Sequence, residues 1–251
     1  QLEVDVMGSR QRGDLTAELE ALRAMLKFAD QVPPGAVQGW LIHLCYDGRE
    51  RNLPKRIEKI QNGLGRQWDA QGGGLREIRV EPIRAWSVLG PFPNADGRAL
   101  ETDFGPEAKV VLDAAYLGAR KRVVRWRPLA ALKDRHVVLR RQFGEVTEFA
   151  AAYLVTFIDS DRDQDALLVY GCDDGGKVWL NGQMIFRLDG VNGFDPNEHL
   201  IPTRLKAGRN ILLVKVVQGH GNWAAGAALA RPSPQNGVLL PLEGVRCAAQ
   251  P

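Results

Sequence analysis

At 251 residues the chain has room for one large domain, or for a domain with a smaller companion. A hydrophobic share of 45% and a charged share of 25% are those of an ordinary globular protein. A formal net charge of +3 is too small to imply a nucleic-acid or membrane partner by itself, and no apolar run approaches the roughly 18 residues of a membrane span.

The chain opens QLEVDV, with no basic stretch leading into an apolar core, so we expect a processed chain or an excerpt of a longer polypeptide. Residues 14–69 carry helical periodicity. Leu15, Leu19, Leu22, Leu26 and Ala29 recur on one face, with Asp14 placed as the N-cap and Glu18 and Glu20 in the early turns. The segment Val32–Gly35 (VPPG) breaks this helix. A second stripe follows at Val37, Trp40, Leu41, Leu44 and Cys45, and a third at Ile57, Ile60, Leu64 and Trp68, weakened by Gly63 and Gly65. We therefore expect a helical N-terminal segment over residues 1–70, with no chemistry assigned to it.

Gln71–Gly74 (QGGG) is a flexible linker by composition, and after it the period falls from about 3.6 to 2. Strand-like runs are predicted at Leu75–Ile83, Ala85–Leu89, Lys121–Trp126, His136–Leu139, Ala150–Ile158, Ala166–Tyr170, Lys177–Leu180, Met184–Leu188, Ile211–Val217 and Ala225–Ala230. Residues Pro106–Leu117 read as a short helix or an ordered loop. Many short strands parted by Gly, Asp, Asn and Pro predict a β-sandwich over residues 75–245.

Asp173–Gly176 (DDGG) has the composition of a hairpin turn, since Asp-Gly and Gly-Gly supply positive φ, and Asn181-Gly182 marks a second turn. Asp159–Asp165 alternates like the start of a calcium loop. It has Gln164 where such a loop needs Gly and Tyr170 where it needs Glu, so it reads as a polar turn. The three cysteines Cys45, Cys172 and Cys247 lie far apart and form no zinc motif. Arg120–Arg141 holds nine Lys/Arg against the single acid Asp134, but period-2 alternation divides them between faces and loops. It reads as a solvated surface, with no nucleic-acid partner.

No GxSxG, HExxH, phosphate loop or dinucleotide fingerprint occurs, and His43, His136, His199 and His220 lack ligand spacing. Glu101, Asp103, Glu107, Asp195 and Glu198 are available for carboxylate chemistry, though nothing in the sequence pairs two of them. The loop Gly219–Trp223 (GHGNW) is the best candidate for contacting a ligand. Trp223 offers an aromatic face to a pyranose ring, or else packs over the sandwich edge; His220 and Asn222 offer hydrogen bonds to hydroxyls.

Trp86–Phe92 (WSVLGPF), Asn94, Asp96 and Gly97, Gly105–Glu107, the turn Asp173–Gly182 and the turn Gly208–Asn210 together resemble the galactose-binding-like jelly-roll modules of large bacterial surface and polysaccharide-processing proteins. The resemblance covers about residues 79–231. It implies a mainly β jelly-roll sandwich after a short helical segment, and non-catalytic carbohydrate binding by one module of a secreted or surface protein. Its partners would be a glycan and other domains of the parent polypeptide. The Asp-Asp-Gly turn is also similar to that of protective-antigen-type lectin domains, where two adjacent aspartates hold calcium. Carried over, Asp173 and Asp174 would be the metal ligands, with Asn181 or a later loop supplying the rest, and Asn181 would count among the ligand-binding residues. The alternatives are a structural or assembly domain that contacts protein neighbours, and an accessory domain of a polysaccharide-processing enzyme.

Overall fold

The structure is a computed structural model that describes residues 9, 12, 14–31, 77–130, 136–144, 146, 148–190, 193–233 and 238–251. Its elements in chain order are α1 (Leu15–Gln31), β1 (Glu77–Ile78), β2 (Ser87–Pro93), β3 (Ala115–Leu117), β4 (Val123–Arg125), β5 (Arg127–Pro128), β6 (Val137–Val138), β7 (Ala150–Ser160) and β8 (Gln164–Asp173), then β9 (Gly175–Leu180), β10 (Gln183–Leu188), β11 (His199–Leu205), β12 (Gly208–Gln218), β13 (Ala224–Pro232), β14 (Val238–Pro241) and β15 (Val245–Ala248). The protein is mainly β, and two compact units divide it: Gln1–Val80 with Pro232–Leu240, and Glu81–Arg231 with Pro241–Pro251.

In the first unit α1 starts where Asp14 caps it. The Asp14 Oδ1 accepts the Ala17 N–H at 3.0 Å, satisfying one of the donors that a helix start leaves open. Leu19 and Leu22 of the expected stripe are buried. Glu77 and Ile78 pair in parallel with Val238 and Leu239. The helices expected across 37–45 and 54–68, and the linker at 71–74, lie outside the described residues.

The second unit is a β-sandwich. One sheet runs β6–β13–β8–β11 and the other β10–β9–β12–β7–β2–β5, with β15 also on β7. Strands β7 and β12 form its longest ladder, pairing antiparallel from Ala150↔Gln218 to Ser160↔Gly208. Alternation sends Ala150, Ala152, Leu154 and Ile158 of β7 and Leu212, Val214 and Val216 of β12 into the layer between the sheets. There they meet Leu168 and Tyr170 of β8 and Ala227 and Leu229 of β13.

The opposite face of β7 is not left to water. The excursion between β2 and β5 folds over it, and Tyr153, Val155 and Phe157 pack there with Phe92, Leu100, Phe104 and Trp126. This second apolar layer is why β7 is apolar at nearly every position, a composition that a one-sided strand would not need. Within the excursion β3 and β4 pair as a hairpin, with Leu117 opposite Val123. The stretch read as a short helix or loop thus ends in a strand.

The turns divide in outcome. Asn181-Gly182 closes the β9–β10 hairpin with both residues at positive φ, +53° and +80°, as a tight hairpin turn requires. Asp173–Gly176 does not close a hairpin. Strand β8 pairs with β11 and β13, while β9 pairs with β10 and β12, so the Asp-Asp step carries the chain from one sheet to the other. Two apolar strands flanking a turn look alike whether they pair or part, and the pairing partners lie far off in sequence.

Candidate functional site

The acidic step lies at one end of the sandwich. Asp173 still pairs with Ala224 at the end of β8, and the Asp173–Asp174 peptide bond is cis. Both side chains are buried. The Asp174 Oδ2 accepts the Gly219 N–H at 2.8 Å, and the Asp174 N–H donates to the Val217 carbonyl at 3.0 Å. Asp173 accepts a hydrogen bond from the Phe194 N–H and shares one with the Asp174 carboxyl. Burial first, and then the neighbouring negative charge of Asp174, push the Asp173 carboxyl up to about 7.

Two further segments enclose the pair. The stretch 193–198 lies directly over β8, and it approaches so closely that a methyl group at Gly171 would collide with the Asp195 carbonyl. Asp195 and Asn197 are buried there, and the Asp195 Oδ1 accepts the Asn197 N–H at 3.0 Å. On the other side the loop after β12 begins at Gly219, already tied to Asp174, and exposes His220, Gly221 and Asn222.

The expected ligand residues separate accordingly. Asp173, Asp174 and the start of the His220–Asn222 loop come together. Trp223 does not offer a stacking face: it is 1% exposed, its ring packs on Phe143 at 5.2 Å, and its carbonyl accepts the N–H groups of Leu139 and Arg140. Large aromatic area at a strand entry is worth more buried than exposed, so Trp223 anchors the loop. Asn181 sits at the other end of β9, a six-residue strand that spans roughly 20 Å. Its side chain is engaged there, donating to Asn210 Oδ1 at 2.8 Å and accepting the Ile211 N–H at 2.9 Å. It belongs to the hairpin turn.

One residue beside the pair carried no mark in the sequence. Phe149, just before β7, is 51% exposed and adopts φ +48°. Left-handed backbone at a bulky non-glycine residue costs on the order of 1–3 kcal/mol. Two backbone hydrogen bonds hold it there: its N–H donates to the Gly219 carbonyl at 2.6 Å and its carbonyl accepts the Asn94 N–H at 2.7 Å. Asn94 is itself fixed, donating to the Gln218 carbonyl and accepting the Ala99 N–H. The Phe149 and His220 rings meet edge to face, with centroids 6.1 Å apart.

The donor set partly fits a hard divalent cation. Two adjacent buried carboxylates, one of them pushed up to about 7 by burial and by the other's charge, form an arrangement that a cation would relieve. Among the described residues no group of three or more His, Cys, Asp or Glu forms a metal cluster. Calcium takes six to eight oxygens, so carbonyls, water and ligand hydroxyls would have to complete the shell.

A second buried charge set lies under the excursion. Lys215 of β12 is fully buried in a strand otherwise apolar at its centre. Its ammonium donates to the Leu100 carbonyl (3.2 Å), the Thr102 carbonyl (2.6 Å) and Glu107 Oε1 (2.6 Å), which uses all three donors. Tyr153 donates to the same carboxylate oxygen at 2.7 Å, and the Phe104 and Tyr153 rings lie 5.3 and 5.4 Å from the ammonium. Glu107 is therefore a packing anchor. Glu101 bridges Lys177 and Arg187, and Asp103 accepts the N–H groups of Gly105 and Glu107. The Arg127 and Arg140 guanidiniums of the basic stretch donate to the Gln142 and Gly221 carbonyls. The Asp159–Asp165 run spans the end of β7, a short turn at 161–163 and the start of β8, and its carboxylates pair with Arg162, Arg204 and Arg209.

No protein-family model and no curated protein matches the chain. Among solved structures it is similar to a PA14 sugar-binding domain from an RTX adhesin, at 19% identity over 32% of this chain and 44% of that one, with a TM-score of 0.24. It is also similar to a β-glucosidase from Kluyveromyces marxianus in complex with glucose (14% identity, 67% of this chain, 18% of that one, TM-score 0.37). A third likeness is to the PA14 domain of the antifreeze protein MpAFP, at 12% identity, 66% of this chain, 89% of that one and a TM-score of 0.35. The chain thus spans less than half of the adhesin and glucosidase chains. Likenesses of this size leave the functional reading to the residues themselves. Among the described residues no helix is long and apolar enough to cross a membrane.

Proposed function

We propose that the β-sandwich is a non-catalytic, galactose-binding-like carbohydrate-binding module of a larger secreted or surface protein, and that it binds its glycan at the Asp173–Asp174 end with the help of calcium. The observation that carries this reading is the buried carboxylate pair tied through the Gly219 N–H to the exposed polar loop His220–Asn222. A calcium ion held there supplies a positive centre for two sugar hydroxyls. The chain's own groups do the rest: the Gly219 and Phe194 N–H groups orient the two carboxylates, and His220 and Asn222 offer hydrogen bonds to further hydroxyls. One shallow site of this kind binds modestly, so affinity in the parent protein would come from several modules acting together.

The test is retention on a neutral- and acidic-glycan array with calcium and with EDTA, beside calorimetric titration of calcium into the protein. Calcium uptake with EDTA-sensitive glycan retention is expected. Flat responses on every glycan under both conditions would falsify the reading.

An assembly role is a second reading, favoured by one feature. Leu117 and Val123 face each other across the β3–β4 hairpin and are 68% and 67% exposed, beside the exposed Lys121 and Arg122 at its tip. A paired aliphatic surface of this kind suits a protein neighbour. Cross-linking to adjacent segments of the parent polypeptide, lost on Leu117→Ser with Val123→Ser, is its expected signature.

A further inference from the structure

We infer that Phe149 is the stacking platform of the glycan site, and that the ligand is a hexopyranose presenting a flat C–H face to this ring and adjacent hydroxyls to the Asp173–Asp174 side. The inference rests on the carbohydrate-binding reading and assigns the aromatic surface that Trp223, packed in the core, does not provide.

Three observations meet at this residue. An exposed phenylalanine forgoes the burial that most of the sandwich's aromatic side chains achieve; Phe92, Trp86 and Trp223 are all inside. Its backbone is held at φ +48°, a conformation that a side chain of this size avoids unless its surroundings enforce it. The enforcing contacts also connect it to the acidic pair. The Phe149 N–H donates to the Gly219 carbonyl, and the N–H of that same Gly219 donates to Asp174 Oδ2. A single residue therefore separates the ring's backbone from the carboxylate.

The Asn94 clamp makes the platform rigid. Its N–H holds the Phe149 carbonyl and its side chain holds the Gln218 carbonyl, so the start of β7 and the end of β12 are tied at the same point. A backbone fixed before the ligand arrives leaves only the side-chain torsions to order on binding, which helps a weak stacking contact to add affinity. Next to it lies the exposed His220, whose ring meets the Phe149 ring edge to face with centroids 6.1 Å apart. The chemistry gathered around Gly219 is an exposed aromatic ring, an exposed imidazole and a carboxylate pair. That matches a sugar ring, whose C–H face is apolar and whose rim is polar. A small anion would be repelled by the carboxylates, and an apolar ligand would waste them.

The experiment uses the full chain with agarose-linked glucose, galactose, mannose and fucose in calcium, together with calorimetry of calcium alone. Phe149→Ala is expected to weaken retention on the preferred sugar by about tenfold or more while leaving calcium uptake as in the wild type. Phe149→Tyr is expected to retain binding, because the ring survives. Phe149→Trp should bind as well, and its tryptophan emission should change on adding the free sugar. If Phe149→Ala retains the sugar as the wild type does, the platform assignment is overturned and the calcium site stands. Wild-type protein that takes up calcium but retains none of the four sugars overturns the inference alone. Absence of both calcium uptake and sugar retention overturns the inference and the functional reading together.

Discussion

Two buried charge sets sit within the same sandwich and are built to opposite plans. Around Lys215 the charges are opposite and the account closes internally: three donors meet two carbonyls and Glu107, and Tyr153 takes part in the same hydrogen-bonded group. Around Asp173 the charges are alike, and the carboxyl is pushed up to about 7 by burial and by Asp174. A satisfied ion pair pins one piece of chain to another. A like-charged pair at the end of a strand costs stability unless something from outside neutralises it, and a cost retained at a loop cluster points to a ligand. On the proposed function, this difference tells the ligand-binding set from the packing set where burial alone does not.

Removing one partner from the closed set should produce the largest effect. Lys215→Met leaves Glu107 and the Leu100 and Thr102 carbonyls facing a methyl group, and is expected to cost about 3–5 kcal/mol in urea unfolding. Trp223→Ala should cost about the same through the cavity it opens in the core. In Lys215→Met, whatever protein remains folded should take up calcium as the wild type does. A Lys215→Met protein of unchanged stability but altered calcium uptake would reverse the comparison.

The open set should respond with little change in stability and a loss of calcium dependence. Asp173→Asn keeps an acceptor for the Phe194 N–H while removing one of two like charges. Its stability without calcium is expected to lie within about 1 kcal/mol of wild type, on either side. The stabilisation by calcium should disappear: a wild type at a hundredfold excess over its dissociation constant gains about 2.7 kcal/mol, and the variant gains none. Thermal melts with calcium and with EDTA read both quantities. A large loss of stability in EDTA would mean that the pair is a structural element like the one around Lys215. His220→Ala should be quieter still. The residue is exposed, so its stability is expected to change by less than about 0.5 kcal/mol while glycan retention falls.

The sandwich could be read from the sequence because its signals are local. Alternation marked β7, β8, β12 and β13, Asn181-Gly182 marked the tight hairpin, and Asp14 marked the helix start. Strand β11 went unread, since Pro202 and Arg204 interrupt its apolar pattern at an edge where they are tolerated. The site was half readable. Asp173 and Asp174 adjoin in sequence, so their pairing needs no fold to be seen. Phe149 and Gly219 meet only because β7 and β12 pair over their full length, and nothing in the residues around position 149 announces a left-handed backbone. Trp223 misled for a related reason: a glycine-rich loop ending in tryptophan looks the same whether the ring turns outward or into the core. Lys215 did carry a signal. A lone lysine inside ILLVKVV, at a strand position whose neighbours are buried, must bring its own partners, and they lie more than a hundred residues earlier.

Between the two sets stands Glu101, and it supplies the smallest test. Lys177 is the cross-strand neighbour of Lys215 on the same face, but its partner Glu101 lies at the exposed rim, where Arg187 also reaches it. Hydrogen bonds from Arg187 and then Lys177 hold the Glu101 carboxyl below its usual value. A carboxyl with a lowered folded-state value adds stability above the unfolded value of 4.5, and loses it as the pH falls through the folded one. Glu101→Gln is therefore expected to lower the melting temperature slightly at pH 7, and the gap from wild type should close as the pH is taken down through the acid range. Added salt should narrow the gap at pH 7, as it does for exposed pairs and not for buried ones. A gap that ignores both pH and salt would mean that Glu101 acts through packing. The distinction between charge balanced inside the fold and charge exposed to solvent would then fail at its rim.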